Sequence, residues 1–353
     1  KKRKSEKTPE ERLAAYQDYL VRTGSIGRAS GLLKPSAVHP PSEEVRKEVQ
    51  RLMPQAHGAT LPGVPRSAPK VAIESDMVRK AGMKLSRGAA PGMSGQTDKH
   101  IRAIMAIPEG LEALTRLMRA AVNGRMPPVF YQMLHSTKVT ALCKDHEKPN
   151  TIIGNVRPVG PPETFKKLMQ KTMLNYRLNN KARFEDFLKG ELKRGNSFGL
   201  HGPEACIRQI RKAYNEFASK HGDPITIKVD FENGYGEVKV TRALEALYSI
   251  PRTAEIARFI YAAAGIPVTV FMRTEKQTYE KAFENATSLM QGDVLSPALF
   301  SIVIMPALEA AREELRQKLQ CTDIDFYAYI DDVTWILPDR SDAKSTMLEV
   351  LSK

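Results

Sequence analysis

The stretch DFYAYIDDVTWIL, residues 325–337, decides how the carboxyl-terminal part of this chain folds. Two apolar runs, both rich in β-branched and aromatic residues, flank the adjacent acids Asp331 and Asp332. Because such runs are too hydrophobic for surface loops, they predict two strands joined by a turn that presents both carboxylates. Neighbouring carboxylates repel each other unless a cation neutralises them, which indicates a Mg²⁺ site. On this stretch alone, a solvated turn without a ligand remains an open alternative.

Two upstream segments favour the metal site over the solvated turn. Residues 225–231, ITIKVDF, predict a strand that ends in Asp230. Residues 289–297, LMQGDVLSP, predict a turn that leads into an apolar helix, with Ser296 and Pro297 suited to its first positions. A strand that carries a further carboxylate to the hairpin is the partner that a metal site needs.

Together these motifs resemble those of the reverse transcriptase family. Residues 230–235 resemble its first catalytic motif, residues 291–297 its Q-G-x-x-x-S-P motif, and residues 329–332 its aromatic-x-D-D box. Each motif is moderately specific, but their order and separations make chance a poor explanation.

Further resemblances lie nearer the amino terminus. Leu142-Cys-Lys144 and Asn155-Val-Arg157-Pro158-Val resemble the basic strand pair of the family's fingers. The stretch RGAAPGMSG, residues 87–95, resembles the A-P-G-x-D-G element that points to the non-LTR, LINE-like branch. Ser94 stands where that element usually has Asp, so no role of that carboxylate carries over. The resemblance covers about residues 71–353.

The resemblance implies an α+β fold with the fingers and palm of a right-hand polymerase, an antiparallel sheet packed on helices. We expect an N-terminal helical extension or linker at 1–70, a fingers-like region at 71–224, and a palm at 225–353 that is truncated before the thumb. The extension either grips template RNA or is a spacer. Without a thumb, we do not expect processive synthesis from this stretch alone.

The resemblance also implies two-metal phosphoryl transfer at the three acids. Asp230 and Asp331 are the expected bridging ligands of two Mg²⁺ ions, with Mn²⁺ as a substitute and the Phe231 carbonyl as an extra ligand. Asp332 completes the catalytic set, either as a ligand or by shaping the local field.

Five residues are expected to contact the incoming dNTP. Lys144 and Arg157 would clamp its triphosphate, because a guanidinium matches phosphate oxygens. Tyr235 would lie under the sugar and exclude a 2′ hydroxyl, while Gln291 and Gly292 would line the nascent base pair, the glycine allowing close backbone approach. Plainer alternatives remain open for all five: solvated basic residues, a core aromatic ring, and a turn that starts a helix.

A basic amphipathic helix is predicted over residues 162–180. Its cationic side chains would be available to template phosphates, although a solvated helix face is the usual explanation of such a run. These side chains are Lys166, Lys167, Lys171, Arg177 and Lys181.

Composition agrees with a nucleic acid partner. The formal net charge of +14 over 353 residues suits a polyanion, since bound lysines and arginines release counterions from phosphates. The three cysteines lack the spacing of a zinc site or a disulfide framework, which indicates a reducing compartment. No run of 18 apolar residues occurs, so we expect a soluble protein without a membrane partner. The basic start Lys1-Lys-Arg-Lys4 resembles a nuclear import signal, with a solvated tail as the alternative.

We therefore predict an RNA-directed DNA polymerase of a non-LTR retrotransposon, which adds dNTPs to a primer 3′ hydroxyl on an RNA template and primes on target DNA. One alternative is a group II intron or retron-type enzyme, and another is a non-catalytic RNA-binding descendant. The three acids and Tyr235 argue against the last, because binding alone requires none of them. Ser94 and the Gly234-Tyr-Gly236 sequence keep it open.

Overall fold

Two β-sheets, with helices packed on them, organise the part of the chain that this computed structural model describes. That part comprises residues 8–22, 38–53, 60–145, 147–148, 150–178, 183–191, 202–285 and 287–352. The predicted α+β class is confirmed. Within the same ranges, no helix combines the length and apolar character needed to cross a bilayer.

The helices, in chain order, are α1 Pro9–Arg22, α2 Glu43–Leu52, α3 Ser75–Met83, α4 Asp98–Met105, α5 Pro108–Val122, α6 Pro128–Leu134, α7 Thr164–Leu174, α8 Phe184–Glu191, α9 Gly202–His221, α10 Gly234–Glu237, α11 Val240–Ser249, α12 Ala257–Ala264, α13 Ser296–Lys318 and α14 Ala343–Leu351. A 3₁₀ helix, Pro251–Ile256, precedes α12. The strands are β1 Ser136–Cys143, β2 Val156–Val159, β3 Pro224–Asp230, β4 Val268–Arg273, β5 Tyr279–Asn285, β6 Asp325–Tyr329 and β7 Asp332–Pro338.

The predicted hairpin and its partner strand form a three-stranded antiparallel sheet in the order β3-β7-β6. Side chains alternate between its faces, as strand geometry requires. One face buries Phe326, Val333 and Trp335, and the Phe326 and Trp335 ring centroids lie 4.9 Å apart. The opposite face of β3 carries Lys228 and Asp230, both exposed.

The second sheet has four strands in the order β2-β1-β4-β5. β1 runs antiparallel to β2 but parallel to β4, whereas β4 and β5 form an antiparallel hairpin. The β4–β5 hairpin thus joins the β1–β2 pair, which carries Arg157 on β2 and leads into Lys144 immediately after β1. This sheet therefore draws strands from both sides of the predicted boundary between residues 224 and 225.

Helix α2 packs against the second sheet. Its start is capped by Ser42, whose Oγ accepts a hydrogen bond from the Val45 backbone N–H at 3.2 Å. Val45, Val49 and Leu52 recur at helical spacing and share one core with residues from β1, β2, β4 and β5. Part of the predicted extension at 1–70 therefore packs against the sheet that borders the site.

His135, at the end of α6, is buried as a neutral imidazole. Its Nε2 lies 3.0 Å from the Ala262 carbonyl oxygen, to which it must donate, while its Nδ1 has no partner in the described part of the chain. Burial holds the pKa of His135 well below its usual range, and the positive charge of Lys166 lowers it further. Folding therefore excludes the proton that this histidine would otherwise bind in mild acid.

We expect His135→Gln to weaken the acid sensitivity of folding. With a lowered folded-state pKa, the stability of the native protein is fully present above pH ~6.5 and falls, by up to about 1.4 kcal/mol per pH unit, as pH drops below that. Glutamine can keep the hydrogen bond to Ala262 without titrating. Urea unfolding measured from pH 7.5 to 5.0 should show that the free energy of unfolding falls more steeply with decreasing pH in the wild type than in the variant. Identical pH dependences would contradict the assignment of His135 as a buried neutral imidazole.

Candidate active site

A cleft of about 360 Å³ opens where the two sheets meet. It lies between the tip of the β6–β7 hairpin, the loop after β3, the ends of β1 and β2, and the last turn of α2. Seven predicted site residues line it, and they come from separate parts of the sequence: Lys144, Arg157, Asp230, Phe231, Tyr235, Gln291 and Asp331. The two other predicted residues, Asp332 and Gly292, are not among its lining.

The hairpin tip is a two-residue turn. Tyr329 pairs with Asp332 across the strands, which leaves Ile330 and Asp331 as the loop. Ile330 has a φ of 59°, in the left-handed region that β-branched residues rarely adopt. Backbone strain of this kind costs roughly 1–3 kcal/mol and persists where the surrounding structure imposes it, often at functional sites. Here it holds Asp331 at the rim of the cleft.

Strand pairing brings the acids together. Asp230, the last residue of β3, lies directly opposite Asp332, the first residue of β7. Asp230 and Asp331 line the cleft, and neither carboxylate has a side-chain partner among the described residues. Glu232 also borders the cleft, from the loop that follows Asp230. The sheet register thus sets two free carboxylates at one end of the cleft.

Asp332 has a different environment from the other two acids. Its Oδ1 lies 2.7 Å from Nζ of Lys228, which occupies the same sheet face two residues before Asp230. The hydrogen bond and charge of Asp332 raise the pKa of Lys228, with smaller contributions from Asp230 and Asp331. In the described ranges no group of three or more acidic, histidine or cysteine side chains is arranged to hold a metal ion.

The donors at the cleft nevertheless fit a hard divalent cation. Carboxylate and backbone carbonyl oxygens are the ligands that Mg²⁺ prefers, and it usually completes its shell with water and substrate oxygens. Asp230 and Asp331 could each supply one carboxylate, and Phe231, next to Asp230, also borders the cleft. A site of this type requires fewer protein ligands than a closed structural metal site.

Tyr235 borders the cleft with its ring anchored from behind. The ring packs against Phe300 of α13, with centroids 5.7 Å apart and planes at 61°, and its backbone carbonyl accepts a hydrogen bond from Leu289 N–H at 3.0 Å. Burial raises the pKa of the Tyr235 hydroxyl, and the charge of Asp331 raises it further. At Gly234 a Cβ would lie 2.9 Å from Phe300 Cε2, so only glycine fits there without displacing that ring. The ring is therefore both a core contact and a wall of the cleft.

The two predicted phosphate ligands lie at the open side of the cleft. Arg157 of β2 pairs with Leu142 of β1, and the Lys144 backbone N–H donates to the Asn155 carbonyl at 2.9 Å. Both basic side chains are exposed. Solvent-facing cations on a rigid strand pair can meet an anionic ligand without leaving a buried charge unpaired.

Gln291 and Gly292 form the centre of a turn that closes with a 3.2 Å hydrogen bond from Asp293 N–H to the Met290 carbonyl. Gly292 has a φ of 102°, which glycine alone adopts without strain at this turn position. A Cβ there would lie 3.1 Å from the Gly160 carbonyl oxygen. The close approach that Gly292 permits is therefore to the protein's own loop after β2, while Gln291 borders the cleft.

Sequence reasoning missed the contribution of α2 to the cleft. Leu52 and Met53 form part of its lining. Asn233, in the left-handed conformation with a φ of 52°, donates from Nδ2 to the Leu52 carbonyl at 3.1 Å. The caps and apolar spacing of α2 predict a helix, but no local signal connects it to a loop so distant in the chain.

The predicted basic helix is shorter than expected, and part of its interpretation is wrong. Lys166 is buried in an ion pair with Asp293, so it is not available to template phosphates. Lys167 is half-buried and donates from Nζ to the Ala90 carbonyl at 2.6 Å. Arg177 is exposed, beyond the helix end, and Lys181 lies outside the described residues.

Comparisons with known proteins bear on this site. Residues 146–353 match the protein family described as reverse transcriptase (RNA-dependent DNA polymerase). The chain is 28% identical over 284 residues to the retrotransposable element SLACS 132 kDa protein of Trypanosoma brucei gambiense, a match that covers 78% of this chain and 21% of that protein. A solved structure of apo telomerase from Candida tropicalis, truncated from its C-terminal domain, resembles it with a TM-score of 0.42 and 14% identity, over 62% of this chain and 47% of that one.

We expect Gly236→Ala to displace α2 from the cleft. The added Cβ would lie 2.3 Å from the Leu52 carbonyl oxygen, so backbone must move, at a cost of about 1–3 kcal/mol. Gly63→Ala is the matched control, since nothing lies within 4 Å of its new Cβ, and its effect should stay within about 0.5 kcal/mol. Urea denaturation of both variants checks this, and equal stabilities would contradict the contact.

Proposed function

The chain belongs to the reverse transcriptase (RNA-dependent DNA polymerase) family, and from this premise we propose that it is the RNA-templated DNA polymerase part of a non-LTR retrotransposon protein. One observation carries the proposal: two free carboxylates, two cations and an anchored aromatic ring, all predicted from sequence, line a single cleft. The similarity to a retrotransposable element protein supports the mobile-element origin.

The proposed reaction joins a primer 3′ hydroxyl to the α-phosphorus of a dNTP, with pyrophosphate as the leaving group. Members of the family use divalent metal ions, and we propose Mg²⁺, with Mn²⁺ as a substitute. Such ions supply an activated hydroxyl and neutralise the leaving pyrophosphate. Asp230 and Asp331 would hold them with carboxylate oxygens, and the backbone carbonyl of Phe231 would be a further ligand.

Asp332 acts from the edge of this site. Its ion pair with Lys228 directs its carboxylate along the sheet face. In this arrangement Asp332 shapes the field around the two cleft acids and fixes the cation of Lys228 beside them. It remains within the catalytic set that we propose, with a role distinct from that of Asp230 and Asp331.

Lys144 and Arg157 bind the triphosphate. Arg157 presents a planar fork of N–H donors that suits two phosphate oxygens, whereas Lys144 provides a compact charge. Gln291 lines the nascent base pair, and Gly292 sets the turn that carries it.

Tyr235 selects the sugar. The Phe300 ring behind it and the hydrogen bond at its carbonyl restrict its movement. A ring held in this way beneath the nucleotide leaves no room for a 2′ hydroxyl, so the site favours deoxynucleotides.

The proposed nucleic acid partners are an RNA template and a DNA primer supplied by the target. Family membership implies a nucleic acid template and dNTP substrates. The net charge of +14 supports binding to polyanions. Nuclear localisation is part of the proposal, and its basic tetrad at residues 1–4 lies outside the described residues.

We expect Asp331→Asn to lower dNTP incorporation by about a thousandfold or more, because a neutral amide weakens metal binding by several kcal/mol. The measurement is single-nucleotide extension of a DNA primer on an RNA template with Mg²⁺, which does not require processive synthesis. Asp76→Asn, an exposed acid on α3, serves as the control and should retain wild-type rates. A folded wild-type protein that binds RNA without extending the primer would favour the non-catalytic alternative.

We expect Tyr235→Ala to admit ribonucleotides. Loss of the ring opens space below the sugar, so the preference for dNTPs over rNTPs should fall by about tenfold or more. Tyr235→Phe keeps the ring and should keep the preference, which separates the steric effect from that of the hydroxyl. Competition between dGTP and GTP in primer extension measures the ratio, and unchanged discrimination in the alanine variant would remove the assignment.

A further inference from the structure

A buried ion pair lies behind the cleft. Nζ of Lys166, in the first turn of α7, is 2.7 Å from Oδ2 of Asp293, and their side chains are only 4% and 10% exposed. Removing two charges from water is costly, and a buried pair of this kind gives little net stability compared with apolar residues. Net stability alone therefore does not explain why the pair is present.

Asp293 belongs to the Gln291 turn, which we define as residues 290–294. It follows the cleft residue Gln291 and the glycine that makes the turn. Its own backbone closes the turn, and its Oδ1 accepts a hydrogen bond from the Leu295 N–H at 3.3 Å. The carboxylate that meets Lys166 is therefore rigidly joined to the backbone that carries Gln291.

Helix α7 makes a second contact with the Gln291 turn. Gln170, one helical turn after Lys166 and fully buried, accepts from the Val294 N–H at 3.3 Å through Oε1. Its Nε2 donates to the Ala263 carbonyl at 3.1 Å, which fixes the orientation of the amide. Two successive residues of the turn, Asp293 and Val294, are thus held by side chains on one face of α7.

The loop before α7 holds the other side of the turn. The Gly160 N–H donates to the Gln291 carbonyl at 3.2 Å, and the Gly160 carbonyl limits the space at Gly292. The contacts to Gln291, Asp293 and Val294 therefore come from residues 160–170, a stretch that follows directly on the strand carrying Arg157, while Asn285 donates from Nδ2 to Sδ of Met290 at 3.3 Å. The turn is fixed relative to the predicted phosphate ligand.

We propose that the Lys166–Asp293 ion pair is a positioning device that locks the Gln291 turn against α7 and thereby sets the affinity of the cleft for the incoming nucleotide. Neither charged side chain lines the cleft, so both act through Gln291 and are positioning residues. The effect on nucleotide affinity rests on the proposed function of the cleft. The locking of the turn is independent of that function.

Two variants separate positioning from charge burial. Lys166→Met leaves the Asp293 carboxylate buried without its cation, and Lys166→Met/Asp293→Asn removes both charges. If the two charges only neutralise each other, the double variant restores the thermal stability, the amide exchange and the dNTP KM of the wild type. If the pair positions the turn, the double variant recovers thermal stability but keeps a faster amide exchange at residues 293–295 and a dNTP KM raised by about tenfold, with a smaller change in kcat.

Matched controls exclude a general loss of stability. Lys166→Arg keeps the charge and should lie closer to the wild type in both amide exchange and KM. Met118→Ala truncates a fully buried side chain on α5, which contributes no residue to the turn, and should lower the melting temperature without raising the KM.

Hydrogen exchange measured by mass spectrometry decides the inference even if no polymerase activity is found. A folded double variant with wild-type exchange at residues 293–295 would overturn the locking of the turn. Altered exchange with an unchanged KM in an active enzyme would overturn the link to nucleotide affinity. Absence of incorporation by the wild type would count against the proposed function alone, since the exchange measurement does not depend on it.

Discussion

The register between β3 and β7 is the constraint on which the site depends. It sets Asp230 opposite Asp332 and leaves Asp331 at the tip of the hairpin. A slip by one residue would turn every side chain of a strand to the opposite face. The slip is prevented because Val333 and Trp335 are completely buried on the other face, so moving them into solvent would forfeit the apolar burial that holds the sheet together. The positions of the acids are thus a consequence of core packing.

Around this sheet the cleft is assembled from elements that lie far apart in the sequence. The β1–β2 pair and the residue after β1 contribute Arg157 and Lys144, the segment after β3 contributes the Tyr235 ring, and α2 forms one wall. Each element is fixed from behind by apolar or buried polar contacts, such as Phe300 behind Tyr235 and Gln170 behind the Gln291 turn. Rigid support of this kind lets the cleft keep exposed charges where a ligand can meet them.

Much of this arrangement could be predicted from the sequence. The alternating apolar runs and the Ser296-Pro297 pair predict β3, the β6–β7 hairpin and the start of α13 to within a few residues, and the family predicted from the motifs is confirmed by the match over residues 146–353. Seven of the predicted site residues share the cleft, although their individual roles remain predictions.

The features that the sequence did not predict are contacts between residues that lie far apart in the chain. A lysine such as Lys166 is expected in solvent on statistical grounds, and nothing near it in sequence reveals the aspartate that neutralises it. The parallel pairing of β1 with β4 and the contact of α2 with the cleft are non-local for the same reason.

The placement of α2 bears on how this protein should be dissected. The family match begins at residue 146, after β1 and Lys144 and long after α2. A truncation designed on that boundary would discard a cleft wall, one of the two cations and a central strand of the second sheet, although every motif acid would survive. The stretch that the family match covers is thus smaller than the unit that forms the cleft, and an inactive truncation would say nothing about the competence of its acids.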